Sequence, residues 1–221
     1  MPAPHPRPLD LPAEFPVFPL AAALLLPRGQ LPLNIFEPRY LAMVEDSLGA
    51  GRMFGMIQPD PHGPESEAGP PLYRIGCLGR LSSFSETDDG RYLITLTGLI
   101  RFAVTAELAM GRGYRRVRAD YSPYLADLET APRPIGVKRE AVLTALRDYF
   151  TRRNFGADWD AVRRMPDDGL VTTLSMICPF EPAEKQALLE AATDADRAAT
   201  LLALLQMGAA ETDLSSGRPV S

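Results

Sequence analysis

The sequence predicts an α+β fold, in which a β region holding one helix is followed by a helical bundle, and three observations point there. Apolar residues alternate with a period of two through most of the chain as far as Tyr121. After Pro132 and Pro134 the period changes to about 3.6 and stays there. The composition of the 221 residues, with 22 Pro, 17 Gly and 23% charged residues, calls for many turns and argues against a coiled coil. Its 46% hydrophobic content is enough to fill a core.

The elements follow in order. Residues 1–12 carry Pro2, Pro4, Pro6 and Pro8, which remove backbone donors and favour solvated chain, so a disordered tail is predicted. A β domain is predicted over 13–131. Phe15 to Leu20 alternates as a half-buried strand does, and Pro16 and Pro19 confine it to an edge or an irregular position. Leu24 to Leu26 forms a second short run before a turn at Pro27, Arg28 and Gly29. Glu37 and Pro38 open a helix, because proline is preorganised for the first helical turn and its missing donor is not needed there. Tyr40, Leu41, Val44 and Leu48 recur at helical spacing, with Gly49 as the C-terminal cap.

Met53 to Ile57 reads as a strand, and Gln58 to Pro71, rich in Pro, Gly and acid, as a mobile loop. Tyr73 to Phe84 and Arg91 to Thr97 are strands joined through Asp88, Asp89 and Gly90, a tripeptide that tolerates positive φ and signals a hairpin. Ile100 to Ala106 and Tyr114 to Tyr121 bring the total to about six strands, near a typical sheet's worth.

The helical subdomain is predicted over 132–208. Val142, Leu143, Leu146, Tyr149 and Phe150 share one helical face, and Asp158 caps a short second helix carrying Trp159 and Val162. Asp167 or Asp168 caps a third, which runs to Cys178 and is stopped by Pro179. Pro182 with Glu184 opens a fourth. Thr193 with Asp196 forms a capping-box-like start to a fifth that carries Leu201, Leu202 and Leu205 and ends near Gly208. Residues 209–221, small and polar, are predicted to fray as a disordered tail.

Counting excludes most catalytic plans. The only histidines are His5, in the Pro-rich tail, and His62, in the Pro/Gly loop, and neither has the packed setting that a triad or a Cys/His pair requires. The only lysines, Lys138 and Lys185, follow Val137 and Glu184, so no phosphate-cradling P-loop exists. The acid pairs Asp88/Asp89, Asp158/Asp160 and Asp167/Asp168 fall where a turn or a helix N-terminus wants a short oxygen acceptor. Gly76 to Gly79 is too sparse for a dinucleotide fingerprint and opens no helix. Cys77 and Cys178 lie far apart without a CxxC, which argues against a disulfide framework or a Cys-based zinc site. No enzyme activity, cofactor or metal is expected.

The formal net charge of -5 disfavours nucleic acid and anionic membranes as partners. The one basic cluster, Arg112, Arg115, Arg116 and Arg118 with Tyr114 and Tyr121, is weakened as an RNA patch because alternation points Arg115 away from Arg116 and Arg118. Leu20 to Leu26, the longest early apolar run, is far short of the roughly 20 residues of a membrane span. Asp10 and Glu14 occupy the would-be basic region of a secretory signal, so a cytoplasmic location is expected.

Phe15-Pro-Val-Phe-Pro-Leu, then Leu31-Pro-Leu-Asn-Ile-Phe-Glu-Pro-Arg-Tyr and the helix to Leu48, resemble the N-terminal, substrate-binding domain of Lon-type ATP-dependent proteases. Ile75-Gly76, Gly90-Arg91, Leu96-Thr-Gly-Leu-Ile-Arg-Phe102, Pro179-Phe180 and Glu184-Lys185-Gln186 follow in the same order. The resemblance spans about Phe15 to Leu205. It implies a PUA-like antiparallel β pseudobarrel with one inserted helix, followed by a helical bundle. It also implies a free-standing Lon-domain protein without the ATPase and peptidase modules, whose partners are polypeptide substrates or another protein and which is able to self-associate as a homo-oligomer. An adaptor or quality-control role follows, with an RNA-binding PUA-like protein or a subunit assisting an ATP-dependent protease as the alternatives. The candidate binding residues are Glu37, Arg39 and Tyr40 at the helix start, with Arg101 and Phe102. The competing structural reading has Glu37 support the helix N-terminus, Arg39 make an ion pair, and Arg101 with Phe102 anchor a strand end.

Overall fold

A computed structural model describes residues 7–64, 69–129 and 136–215, and the chain divides into two compact units that part between Thr130 and Ala131. In the first unit, strands β1 (Glu14–Pro19), β2 (Gln30–Ile35), β3 (Met53–Ile57), β4 (Ile75–Glu86), β5 (Tyr92–Leu108) and β6 (Arg115–Asp120) form one sheet, with helix α1 (Pro38–Gly49) between β2 and β3. The strand order is β2-β5-β4-β3-β1-β6. One flank of β5 carries β4. The other carries β2 on its first half and β6 on its second. Five strands therefore close a circuit, β5-β4-β3-β1-β6 and back to β5, and β2 lies outside it.

The sheet is mixed, which corrects the antiparallel expectation: β1 and β3 run parallel, while the other pairings are antiparallel. Parallel neighbours need a long connection, and β2 with α1 supplies it. Nor is β1 an edge. Its first half, Glu14 to Val17, ladders with β6 and its second, Val17 to Pro19, with β3. Pro16 and Pro19 thus each have a single laddered neighbour, so a missing N–H leaves no gap in the pairing.

The runs predicted as separate strands, Arg91 to Thr97 and Ile100 to Ala106, are one strand. Gly98 carries it through, because a Cβ there would lie 2.0 Å from the Leu26 carbonyl oxygen. Leu24 to Leu26 is accordingly a buried loop laid on β5 rather than a strand. The core of this unit gathers Phe15, Val17, Met53, Ile57, Leu78, Ile100, Phe102 and Val117, with the Phe15 and Phe102 rings edge to face at 5.0 Å. Helix α1 starts at Pro38 as predicted but ends at Gly49 itself, and the left-handed position falls to Gly51, at φ 82°.

Two predicted loose segments are held. Of the Pro-rich tail 1–12, residues 1–6 lie outside the described residues, but Pro8–Asp10 is a 3-10 turn closed by Arg7 donating to Asp10. Leu11 packs on the core and the Tyr121 hydroxyl donates to the Pro12 carbonyl at 2.8 Å. The loop after β3 is laced at its base: the Asp60 amide donates to Pro71, the Tyr73 amide to Gln58, and the buried Gln58 side chain accepts from Ala22. Its residues 65–68 lie outside the described set.

The second unit holds α2 (Arg139–Arg152), α3 (Trp159–Arg164), α4 (Asp167–Ile177), α5 (Pro182–Glu190) and α6 (Asp194–Ser215), with α2, α4 and α5 each packed on α6. Asp158 caps α3 by accepting from the amides of Asp160 and Ala161. Thr193 and Asp196 exchange bonds at the start of α6. The cap of α4 is Pro166 rather than either aspartate, which instead occupy the first turn, where the helix dipole favours them. Helix α6 passes Gly208 and continues to Ser215, because that glycine is a close approach and not a cap: a Cβ on it would sit 2.5 Å from the Tyr149 ring. Residues 216–221 of the predicted tail lie outside the described residues.

Candidate functional site

Glu37 precedes α1 with extended backbone and makes no side-chain cap. Its carboxylate instead accepts from Arg39, through Nε at 3.0 Å and Nη2 at 2.8 Å. The same guanidinium lies 4.6 Å over the Tyr40 ring, which packs against Phe18 with centroids 4.2 Å apart. Burial raises the Tyr40 pKa even with the Arg39 cation beside it, so the phenol stays protonated as the floor of what lies above.

That feature is a groove of about 370 Å³. Pro19, Pro59 and Pro70 supply its apolar walls, Arg39, Met110 and Gly113 are its exposed members, and Tyr40, Tyr114 and Arg115 its buried ones. Arg115 fixes the groove's far side. Its fork grips Glu107, with Nη2 2.7 Å from Oε1, and Nη1 donates to the Pro70 carbonyl at 2.6 Å, tying the loop to β6. Tyr114 anchors α1: its hydroxyl donates to Asp46 at 2.7 Å, and Arg112 reaches both Asp46 and Glu45. The Tyr114 bond is the main reason that the Asp46 carboxyl is held below its usual pKa.

Arg101 and Phe102, expected at a strand end and counted among the binding residues, sit in the interior of β5 and are buried. Both guanidinium arms of Arg101 reach Asp127, each at 2.9 Å; its amide reaches the same carboxylate at 3.1 Å, and the cation lies 4.8 Å over Tyr124. Phe102 fills the core against Phe15. These two build the domain and offer no surface, which corrects their place among the candidates. The partner Asp127 was invisible in the sequence, because nothing in its spacing links it to Arg101. Met110 and the three prolines were equally illegible, since their meeting depends on loops folding back.

The basic cluster is neutralised where it stands. Arg112 faces Glu45 and Asp46, Arg115 faces Glu107, and Arg116 and Arg118 share Glu14. Among the described residues, no group of three or more His, Cys, Asp or Glu is arranged to hold a metal ion. Cys77 and Cys178 are buried thiols outside any disulfide, and burial pushes the Cys178 pKa up to about 12, which leaves that sulfur protonated near neutrality. Lys185, expected on the surface, is buried; its ammonium donates to the Met176 carbonyl at 3.0 Å. Among the described residues no helix is long and apolar enough to cross a membrane.

Comparison with known proteins adds a family. The model of the ATP-dependent protease La (LON) substrate-binding domain matches residues 14–207. Lon protease 2 of Myxococcus xanthus is 26% identical over 111 residues, which are 50% of this chain and 13% of that protein. Lon protease 2 of Sorangium cellulosum is 31% identical over 112 residues, 49% of this chain and again 13% of the relative. The chain thus corresponds to a small part of these proteases' length. Among solved structures, a Lon N-terminal domain protein from Xanthomonas campestris aligns with a TM-score of 0.56 at 23% identity, covering 86% of this chain and 97% of its own. The N-terminal domain of a Mycobacterium avium complex Lon protease aligns with the same score at 15% identity, covering 90% and 98%. Both likenesses are of fold.

Proposed function

Because this chain belongs to the Lon substrate-binding domain family, we propose that it is a non-catalytic module that recognises unfolded or exposed protein segments, as an adaptor or quality-control factor of the cytoplasm. The closed circuit of five strands is read as a PUA-like pseudobarrel, and the helical unit as its companion bundle. The observation that carries the reading is the groove: apolar walls, an exposed methionine and one guanidinium held only by an exposed partner, all within the family-matched segment.

Such a site suits an extended apolar stretch. Met is unbranched and polarizable and adapts to varied side chains, and proline walls lose little entropy on binding. Arg39 adds a cation for a carboxylate of the client, since its Nη1 has no partner among the described residues. The RNA alternative has less support, because each arginine of the basic cluster already faces a carboxylate.

The test is the affinity of the full chain for a reduced, carboxymethylated and permanently unfolded protein. Met110→Ser should weaken it by about fivefold, the scale of half a buried methionine, with the melting temperature unchanged. Unaltered affinity in both Met110→Ser and Arg39→Ala would remove the groove from the reading.

A further inference from the structure

The first half of β5 has β2 on one side and β4 on the other, and the two outer edges of this three-stranded flap differ. At the hairpin, the Thr87 amide donates to the Arg91 carbonyl at 2.9 Å. Thr87 and Arg91 are therefore a bonded pair. Bonded and non-bonded pairs alternate along antiparallel strands, so Glu86 opposite Tyr92 and Phe84 opposite Ile94 are non-bonded pairs. Their N–H and C=O groups point away from β5.

Strand β3 does not meet them. It pairs with β4 only from Cys77 to Arg80, and the Leu81 amide closes that ladder on the Arg52 carbonyl at 2.8 Å. Among the described residues, no strand is laddered beside Phe84–Glu86. The opposite edge is blunted: the same alternation, passed through Ile94 to its partner Leu33, turns the position of Pro32 outward on β2, where proline has no N–H to offer. One edge of the flap is thus interrupted at its centre by a proline that separates the outward groups of Gln30 and Asn34, and the other has outward donors and acceptors in place at Phe84 and Glu86 without a proline between them. Beside the open edge Phe84 is 43% exposed. The hairpin tip carries Glu86, Asp88 and Asp89 against the single cation Arg91, itself paired with Asp89 at 2.8 Å.

We propose that the free edge of β4 at Phe84–Glu86 captures an extended, unfolded polypeptide segment by strand addition, one that sets an apolar residue on Phe84 and a Lys or Arg beside the acidic tip. This rests on the polypeptide reading above and gives it a second surface with its own mode of recognition. Main-chain bonds supply sequence-tolerant affinity, and the acidic tip selects for charge. A second copy of this chain fits less well. Antiparallel self-pairing about Ser85 would set two Glu86 carboxylates diagonally across the junction, where like charges repel. A stretch this short also falls well below the roughly 1,000 Å² of a stable interface.

The experiment uses the full chain and a fluorescent peptide of alternating valine and threonine with a lysine at each end. Binding is followed by anisotropy, and amide exchange by NMR. Peptide addition should slow exchange at the Phe84 and Glu86 amides. Glu86→Pro, which removes an outward donor without touching a β4–β5 bond, should weaken binding about tenfold, the scale of one hydrogen bond. Glu86→Gln should weaken it less. The fully N-methylated peptide, which has no main-chain donors, should not bind, and this arm stands even if the proline variant folds poorly. Equal losses in Glu86→Pro and Glu86→Gln would reduce the edge to a charge effect and overturn the proposal. So would undiminished binding of the N-methylated peptide, or a peptide-free dimer that dissociates in Glu86→Pro. Loss of binding in Met110→Ser with full binding in Glu86→Pro would overturn the edge and leave the groove; the reverse pattern supports the edge and sinks the groove.

Discussion

Two arginine–carboxylate pairs in the β unit share their chemistry and differ in burial. Arg101 and Asp127 each expose 5% of their side chains, while Arg39 and Glu37 expose 51% and 44%. Around Arg101 the carboxylate accepts from both arms and an amide, and an aromatic ring covers the cation. Around Arg39 one oxygen accepts everything and water reaches the rest. The first pair has nothing to give a ligand, because any exchange would strand a buried charge. The second is solvated on both sides, and in the proposed function it is the pair that would trade Glu37 for a client's carboxylate. Burial, and not residue type, separates the fold-holding arginine from the one proposed to bind.

The comparison can be broken most decisively at Asp127. Asp127→Ala leaves the Arg101 cation buried without its fork, and urea unfolding should show a loss of about 3–5 kcal/mol. A loss below about 1 kcal/mol would mean that the two pairs are equivalent. An intermediate case sharpens it. The Asp46 carboxyl is held low by Tyr114 first and then by Arg112. Since its folded pKa lies below the ordinary aspartate value of 3.8, the stabilisation is complete above that pH and is lost as pH falls through the folded pKa. Tyr114→Phe removes the largest cause, so a carboxyl NMR titration should show the Asp46 pKa rise toward 3.8. No movement would assign the anchoring of α1 to Arg112 instead. The smallest effect belongs to the exposed pair: Arg39→Ala should change stability by about 0–1 kcal/mol, so that weaker client binding in that variant reports on recognition and not on folding.

A fourth measurement separates burial of a neutral group from burial of a paired charge. The Cys178 pKa is raised by burial from 9.0 to about 12. A raised acid pKa stabilises below the unfolded value, so this contribution is intact below about pH 9 and is lost as pH climbs toward 12. Cys178→Ala should flatten the alkaline fall of stability. An unchanged slope would assign that fall to the buried tyrosines, whose pKa values are also raised.

Much of the fold was legible. Met53 to Ile57 has the predicted bounds of β3. The Asp88-Asp89-Gly90 hairpin, the Asp158 cap and the Thr193/Asp196 box are where local chemistry puts them. What escaped is non-local. The strands around Gly98 looked separate because that glycine breaks a pattern, and only the Leu26 carbonyl lying over it explains its presence. Gly208 looked like a cap for the same reason, since the Tyr149 ring against it belongs to another helix. Of the candidate binding residues, Arg39 and Tyr40 line the groove and Glu37 holds Arg39, while Arg101 and Phe102 turned inward.

By itself the sequence determined what depends on neighbours along the chain: periods of two and 3.6, turn tripeptides, capping residues, the scarcity of His and Lys, and the motif string that marks the family. Only the tertiary structure decided what depends on distant residues meeting. It set which flank of β5 takes which strand, that β1 and β3 run parallel, that Asp127 closes on Arg101, and that Pro32 blunts one edge of the flap while Phe84 and Glu86 leave the other open. The physical reason is that caps and turns are satisfied by hydrogen bonds within a few residues, whereas burial and strand edges are properties of the packed chain.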